Sequence, residues 1–88
     1  MKIYYTYILE SETSGILYIG QTDNLDARIK RHNYGGSVFT RNKGPWKLLH
    51  HFTFQTRAEA IATEKKLKNF KNPIKVKEYI AKHISSAG

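Results

Sequence analysis

The 88 residues predict an α+β domain, a three-stranded, mostly antiparallel sheet with helices packed on it in the order ββαβαα. Three observations predict it. Two runs rich in aromatic and β-branched residues, 3–9 and 15–20, flank the polar stretch 10–14 and read as a hairpin. A third alternating run covers 46–54, and the intervals before and after it carry helical spacing with recognisable start signals.

In the hairpin, pairing Leu9 with Ile16 sets Tyr7 opposite Tyr18. Directly opposed side chains in an antiparallel pair share a face with Cβ atoms roughly 5 Å apart, so two phenols are expected side by side. Gly20 then lets the backbone turn out of the strand, and Thr22 or Asp23 can cap the helix that follows. Leu25, Arg28, Ile29 and His32 mark that helix, which ends before Tyr34-Gly35-Gly36. Arg28 and His32 are four residues apart, on one helical face, so a guanidinium and an imidazole can point together at a ligand beside the tyrosines. These groups suit phosphodiester cleavage. Taken without the tyrosines, Arg28 and His32 read more simply as a solvated basic face shared with Lys30 and Arg31.

Residues 35–44 form a polar loop with Ser37, Thr40 and Asn42, ending at Pro45. The strand 46–54 is expected to set Trp46, Leu48, Phe52 and Phe54 on one face. His50 and His51 point to opposite faces and cannot chelate one metal together. Thr56-Arg57-Ala58-Glu59 has the capping-box pattern and fixes the start of a helix whose apolar face holds Ala60, Ile61, Leu67 and Phe70. Glu64 falls among them. An ionised carboxylate facing a core needs a metal, a hydrogen bond or a charged partner, and a lysine, an arginine or water at the core edge would also satisfy it. Asn72-Pro73 opens a last helix through about residue 83, with Ile74, Tyr79 or Ile80, and Ile84 inward. The domain is expected to span 1–84, with 85–88 a frayed tail.

Composition narrows the classes. With no cysteine there is no disulfide framework and no thiolate zinc site, and no apolar run approaches the roughly 20 residues of a membrane span. Met1-Lys2-Ile3 leads straight into a strand, so a cytoplasmic protein is expected. The formal charge of +8 comes from 15 Lys and Arg against 7 Asp and Glu and favours a polyanionic partner, although a lysine-rich surface is equally a route to solubility. Arg31, Arg41, Lys43 and Lys47 stand nearer the tyrosine motif than the late lysines and are the candidates for nucleic-acid contact.

Across residues 3 to about 70 the chain resembles the GIY-YIG nuclease superfamily, and among its members the small single-domain ones likened to the excision-repair nuclease subunit. Tyr18-Ile19-Gly20 is half of the motif unaltered, and Tyr5-Thr6-Tyr7 replaces Gly-Ile-Tyr, keeping the functional tyrosine. Residues 20–25, Arg28, His32-Asn33 and the segment from Arg41 to Leu49, which contains Lys43-Gly44-Pro45-Trp46-Lys47-Leu48, extend the likeness. The resemblance implies a metal-dependent endonuclease acting on DNA, branched or damaged DNA included, with Tyr7, Tyr18, Arg28, His32 and Glu64 catalytic. Glu64 would be the sole protein ligand of Mg²⁺ or Mn²⁺, Arg28 would hold the scissile phosphate, and one tyrosine would deprotonate or orient water with His32 as relay. Tyr7 is favoured as base and Tyr18 as phosphate or water contact, an assignment that residue types alone leave open. Larger relatives carry an attached DNA-binding domain, so target choice here is expected to rest on nucleic-acid shape, a protein partner or a homodimer. The alternative is a nucleic-acid-binding module of the same fold with little or no catalysis. A basic protein-interaction domain is a third reading, and it leaves Glu64 unexplained.

Overall fold

A computed structural model describes residues 2–35, 40–41 and 43–87. The elements are β1 (Tyr4–Ser11), β2 (Leu17–Thr22), α1 (Leu25–Asn33), β3 (Trp46–Phe54), α2 (Arg57–Phe70) and α3 (Pro73–Ala87), the expected ββαβαα order. The strands form one antiparallel sheet, β2-β1-β3, with β1 central.

The hairpin register differs from the expected one by two residues. Tyr7 pairs with Gly20 and Leu9 with Tyr18, because β1 continues to Ser11 before the chain reverses. Ser11 N–H donates to the Ile16 carbonyl at 2.9 Å, and the Ser11 hydroxyl oxygen accepts from Thr13 and Ser14 N–H at 3.3 and 3.1 Å. Gly15, at φ +77°, supplies the left-handed residue that closes this turn. A two-residue slip preserves which face each side chain takes, so Tyr7 and Tyr18 still share one, now diagonally.

In β3 the expected common face is divided. Ile8 pairs with His50 but Leu9 pairs with Leu48, which leaves Leu49 as an extra residue between them. Such a bulge breaks the alternation. Trp46 therefore joins Tyr7 and Leu9 on the face covered by Leu25 and Ile29 of α1, whereas Phe52 joins Ile8 and Ile19 under Leu67, Val76 and Ile80 of α2 and α3. Each face of the sheet has its own apolar cluster.

The helix starts follow from their caps. Asn24, rather than Thr22 or Asp23, caps α1: its Oδ1 accepts from Ala27 N–H at 3.2 Å, and Thr22 instead holds Asn24, accepting from its N–H at 3.1 Å. Thr56 caps α2 by accepting from Glu59 N–H at 3.3 Å while its hydroxyl donates to Glu59 Oε1 at 2.9 Å. Buried Thr6 of β1 donates to the Ala60 carbonyl at 2.6 Å and pins α2 to the sheet. On α3, Val76 and Ile80 point inward, but Ile74, expected there, is 68% exposed. At 3.6 residues per turn, position 74 lies about 200° around the helix from Val76, so it faces solvent when Val76 and Ile80 pack inward. The helix runs on to Ala87, through most of the stretch expected to be tail. Ser37, Asn42 and Gly88 lie outside the described residues, as does the expected inward side chain of Ile84.

Candidate active site

Tyr7 is 1% exposed, and its ring crosses the backbone of β2 at Gly20. A Cβ at Gly20 would stand 2.5 Å from the Tyr7 hydroxyl oxygen and 2.7 Å from Cζ, closer than real side chains come. Gly20 thus serves the close approach of a phenol and sits within the strand, where the sequence reading had it turning the chain out. Tyr18, on the same face, has its ring centroid 6.3 Å from that of Tyr7.

From α1, His32 drops into the space beside both rings. It is 3% exposed, its Nε2 is 2.9 Å from the Tyr7 hydroxyl, and its ring centroid is 4.6 Å from that of Tyr18. The other ring nitrogen, Nδ1, is 2.9 Å from the hydroxyl of buried Thr40. Thr40 is fixed in turn, since its carbonyl accepts from the Trp46 indole N–H at 3.0 Å. The next residue of α1 clamps the same tryptophan: Asn33 accepts from Trp46 N–H at 2.7 Å and donates to its carbonyl at 3.1 Å. Both imidazole nitrogens are therefore held, by groups from β1 and from the loop before β3.

The electrostatics define the resting protonation. Burial, helped by the charges of Arg28 and Arg31, pushes His32 below its usual 6.5, so the imidazole is neutral. Burial raises the Tyr7 phenol well above 10, with Tyr18 and Glu64 adding to the effect, and the Arg28 guanidinium opposes them by charge and hydrogen bonding. A neutral imidazole faces a protonated phenol. If the phenol donates to Nε2, then Nδ1 carries hydrogen and Thr40 accepts it; in the reverse tautomer both bonds invert.

Glu64 projects from α2 with its side chain 18% exposed, and its Oε2 accepts from Lys68 Nζ at 2.7 Å. The partner that its position demanded is this lysine one turn along. Tyr7, Tyr18 and His32 stand in contact, the Arg28 guanidinium hydrogen-bonds toward the Tyr7 phenol, and the Glu64 charge reaches that phenol from α2. The four basic candidates divide. Arg31 lies on α1 within electrostatic reach of His32, and exposed Arg41 donates from Nε to the Gly35 carbonyl at 3.2 Å while lining a cavity with His32 and Thr40. Exposed Lys43 lies on the same loop, its carbonyl accepting from the Ser11 hydroxyl at 2.7 Å. Lys47 does not join them. It pairs with Glu10 at 3.6 Å, and Lys77 of α3 meets the same carboxylate at 2.9 Å, on the opposite face of the sheet.

Sequence reasoning missed Thr40 as a partner of His32, and missed that Gly20 answers Tyr7. Eight residues and a loop separate Thr40 from His32, and no spacing rule links them. His50 and His51 do take opposite faces, opposite Ile8 and Tyr7. Among the described residues no group of three or more His, Cys, Asp or Glu could hold a metal ion.

The model of the GIY-YIG catalytic domain matches residues 3–80. A UPF0213 protein of Clostridium perfringens is 38% identical over 81 residues, covering 91% of this chain and 86% of its own. One from Haloquadratum walsbyi is 35% identical over 68 residues, covering 76% of this chain and 75% of its own. The solution NMR structure of a UPF0213 protein from Bacillus halodurans superposes with a TM-score of 0.57 at 34% identity, covering 90% of this chain and 83% of that one.

Proposed function

The chain belongs to the GIY-YIG catalytic-domain family, and from that premise we propose that it is a divalent-metal-dependent endonuclease hydrolysing phosphodiester bonds of DNA. The observation that carries the reading is the buried Tyr7–His32 hydrogen bond of 2.9 Å, beside Tyr18 and Arg28 and within the field of Glu64. A structural phenol and imidazole need no guanidinium and carboxylate around them, but a phosphoryl transfer does.

The donor set at Glu64 fits a hard, largely hydrated ion. One mostly buried carboxylate, with no second His, Cys or acid cluster among the described residues, suits Mg²⁺ or Mn²⁺ completed by water and phosphate oxygens, and does not suit zinc. Bound there, such an ion would supply Lewis-acid stabilisation of the phosphoryl oxygens. Arg28 holds the phosphate through its planar fork. As the phenol is a poor base on its own, Tyr7 works as a link: it takes a proton from the attacking water while its own proton passes to His32 Nε2, and Thr40 accepts from Nδ1–H. Tyr18 orients the water or a phosphate oxygen. The cytoplasm is the proposed compartment, which a cysteine-free chain fits without requiring; no helix among the described residues is long and apolar enough to cross a membrane.

The Lys68–Glu64 ion pair favours a second reading, a nucleic-acid-binding module whose carboxylate is kept from metal. A nicking assay on supercoiled, branched and single-stranded DNA with Mg²⁺ or Mn²⁺ separates the two. Glu64→Ala and Arg28→Ala should each lower cleavage by about 10²-fold or more. Equal product from wild type and Glu64→Ala overturns the nuclease reading, and wild-type binding without cutting on every substrate establishes the module.

A further inference from the structure

Beside the site, between the edge strand β2 and the junction of α2 with α3, runs a groove of about 450 Å³. Its floor is apolar, from Ile16, Leu17, Leu67 and Val76, and Lys68 and Lys71 stand along it. Its floor lies on the sheet face of Ile8 and Ile19, the tyrosine pair lies on the other, and two of its lining residues lead to the site across the edge strand: Tyr18 of β2, and Lys68, which is bonded to Glu64. Lys71 is singular for another reason. It ends α2 at φ 52°, the left-handed conformation in which glycine is favoured at this position, and it is the one non-glycine residue with positive φ among those described. A lysine there costs stability relative to glycine, roughly 1 kcal/mol, and it sets a cationic residue in the lining of the groove.

We propose that this groove binds one unpaired nucleotide of the substrate next to the scissile phosphate, its base on the apolar floor and its phosphate between Lys68 and Lys71. The proposal deepens the nuclease reading and rests on it for the position of the scissile phosphate. The occupant follows from the lining. Lys71, joined by Lys68 where it leaves Glu64, sets positive charge beside an apolar floor, which complements a group that is flat and apolar on one side and anionic on the other. A base within a duplex is stacked on both faces and cannot reach such a floor, so the nucleotide must come from a single strand, a flap or a splayed junction. Release of Lys68 when Glu64 takes a metal would add its charge to the groove at the moment of cleavage.

Binding is measured by fluorescence anisotropy without metal, so that the result does not depend on cutting, for a labelled single-stranded 12-mer and the matching duplex. Two variants probe the groove outside the reacting groups. Ile16→Asp, at a 43%-exposed position, should weaken single-strand binding by about tenfold, the order of one lost base contact, with little change for duplex. Lys71→Gly should melt no lower than wild type, yet weaken single-strand binding and reduce the slope of log K against log salt by about 0.7. Methyl signals of Ile16, Leu17 and Val76 should shift on titration with a trinucleotide. Equal losses for single strand and duplex would reduce the groove to general charge and overturn the proposal. So would unchanged binding in both variants, or concentration-dependent self-association that broadens the β2 amides, which would make the groove a strand-pairing surface for a second copy. If the groove binds but wild type cuts nothing, the nuclease reading fails and the subsite stands.

Discussion

At Gly20 a single hydrogen atom decides whether Tyr7 can occupy its place. Replacing it with the methyl of Gly20→Ala sets a carbon 2.5 Å from the oxygen of a phenol whose residue is 1% exposed, so the ring must shift within a buried site. Overpacking of this kind costs about 1–3 kcal/mol, and each kcal/mol lowers the melting temperature of a domain this size by roughly 4–8 °C. Thermal denaturation should show that fall, and cleavage should drop with it because Tyr7 leaves His32. A variant that melts and cuts like wild type would show that Tyr7 does not need its present position. The His32 imidazole gives a second prediction, in pH. Its pKa lies below 6.5 in the folded protein, and the relay needs it neutral, so kcat/KM should stay level on acidification through 6.5 and fall only as the lowered pKa is crossed. The raised Tyr7 phenol contributes no loss on the alkaline side up to about 10. An acid limb at or above 6.5 would remove His32 from the relay.

Between elements, the same strand start that carries Trp46 is tied to α1 by the two Asn33 hydrogen bonds, and through Thr40 to the relay histidine. Asn33→Ala leaves the Trp46 backbone groups without these partners, at roughly 1–3 kcal/mol, and amide exchange at Trp46 should accelerate more than at Ile8 in the central strand. The opposite face has its own tie: Glu10 of β1 meets Lys77 of α3 and Lys47 of β3, and the Lys77 hydrogen bond above all holds its carboxyl below the usual 4.5. A depressed carboxyl contributes stability above its unfolded pKa and loses it as pH falls through the folded one. Exchange protection at Val76 and Ile80 should therefore fade below about pH 4.5, and Glu10→Gln should flatten that dependence; an unchanged profile would leave α3 docked by its apolar contacts alone. These ties mark where the sequence was legible and where it was not. Period and caps are local, so the order of elements, the shared face of Tyr7 and Tyr18 and the start of α2 could be read from neighbours along the chain. The register could not, because it depended on Ser11 gathering the turn amides. Nor could the bulge at Leu49, which divides Trp46 from Phe52, or the approach of Thr40 to His32, since each is decided by packing between distant segments. Lys47 was misjudged for the same reason: nearness in sequence to the site says nothing of which sheet face a strand residue takes.

The molecule as a whole carries a charge of +8 and, among the described residues, one proposed site, built on the Tyr7–His32 pair with Tyr18, Arg28 and Glu64. On the proposed reading a single set of reacting groups holds one scissile phosphate at a time, and the excess positive charge attracts any polyanion without selecting a sequence. Two consequences combine for a supercoiled plasmid. At low protein concentration the first product should be the open circle, with linear DNA appearing only later, as independent nicks come to lie opposite one another. The initial rate should fall steeply as salt is raised, because binding is electrostatic, while the order of products stays the same. A homodimer that cuts both strands would behave differently: linear DNA would appear together with the open circle at a constant ratio, and the rate would rise with the square of protein concentration until the dimer was saturated. Gel quantification of the three plasmid forms over time, at several protein concentrations, distinguishes these outcomes. Linear product from the first time points at second order would mean that the catalytic unit is a pair of chains, each supplying its own Glu64 and Tyr7–His32 relay to one strand.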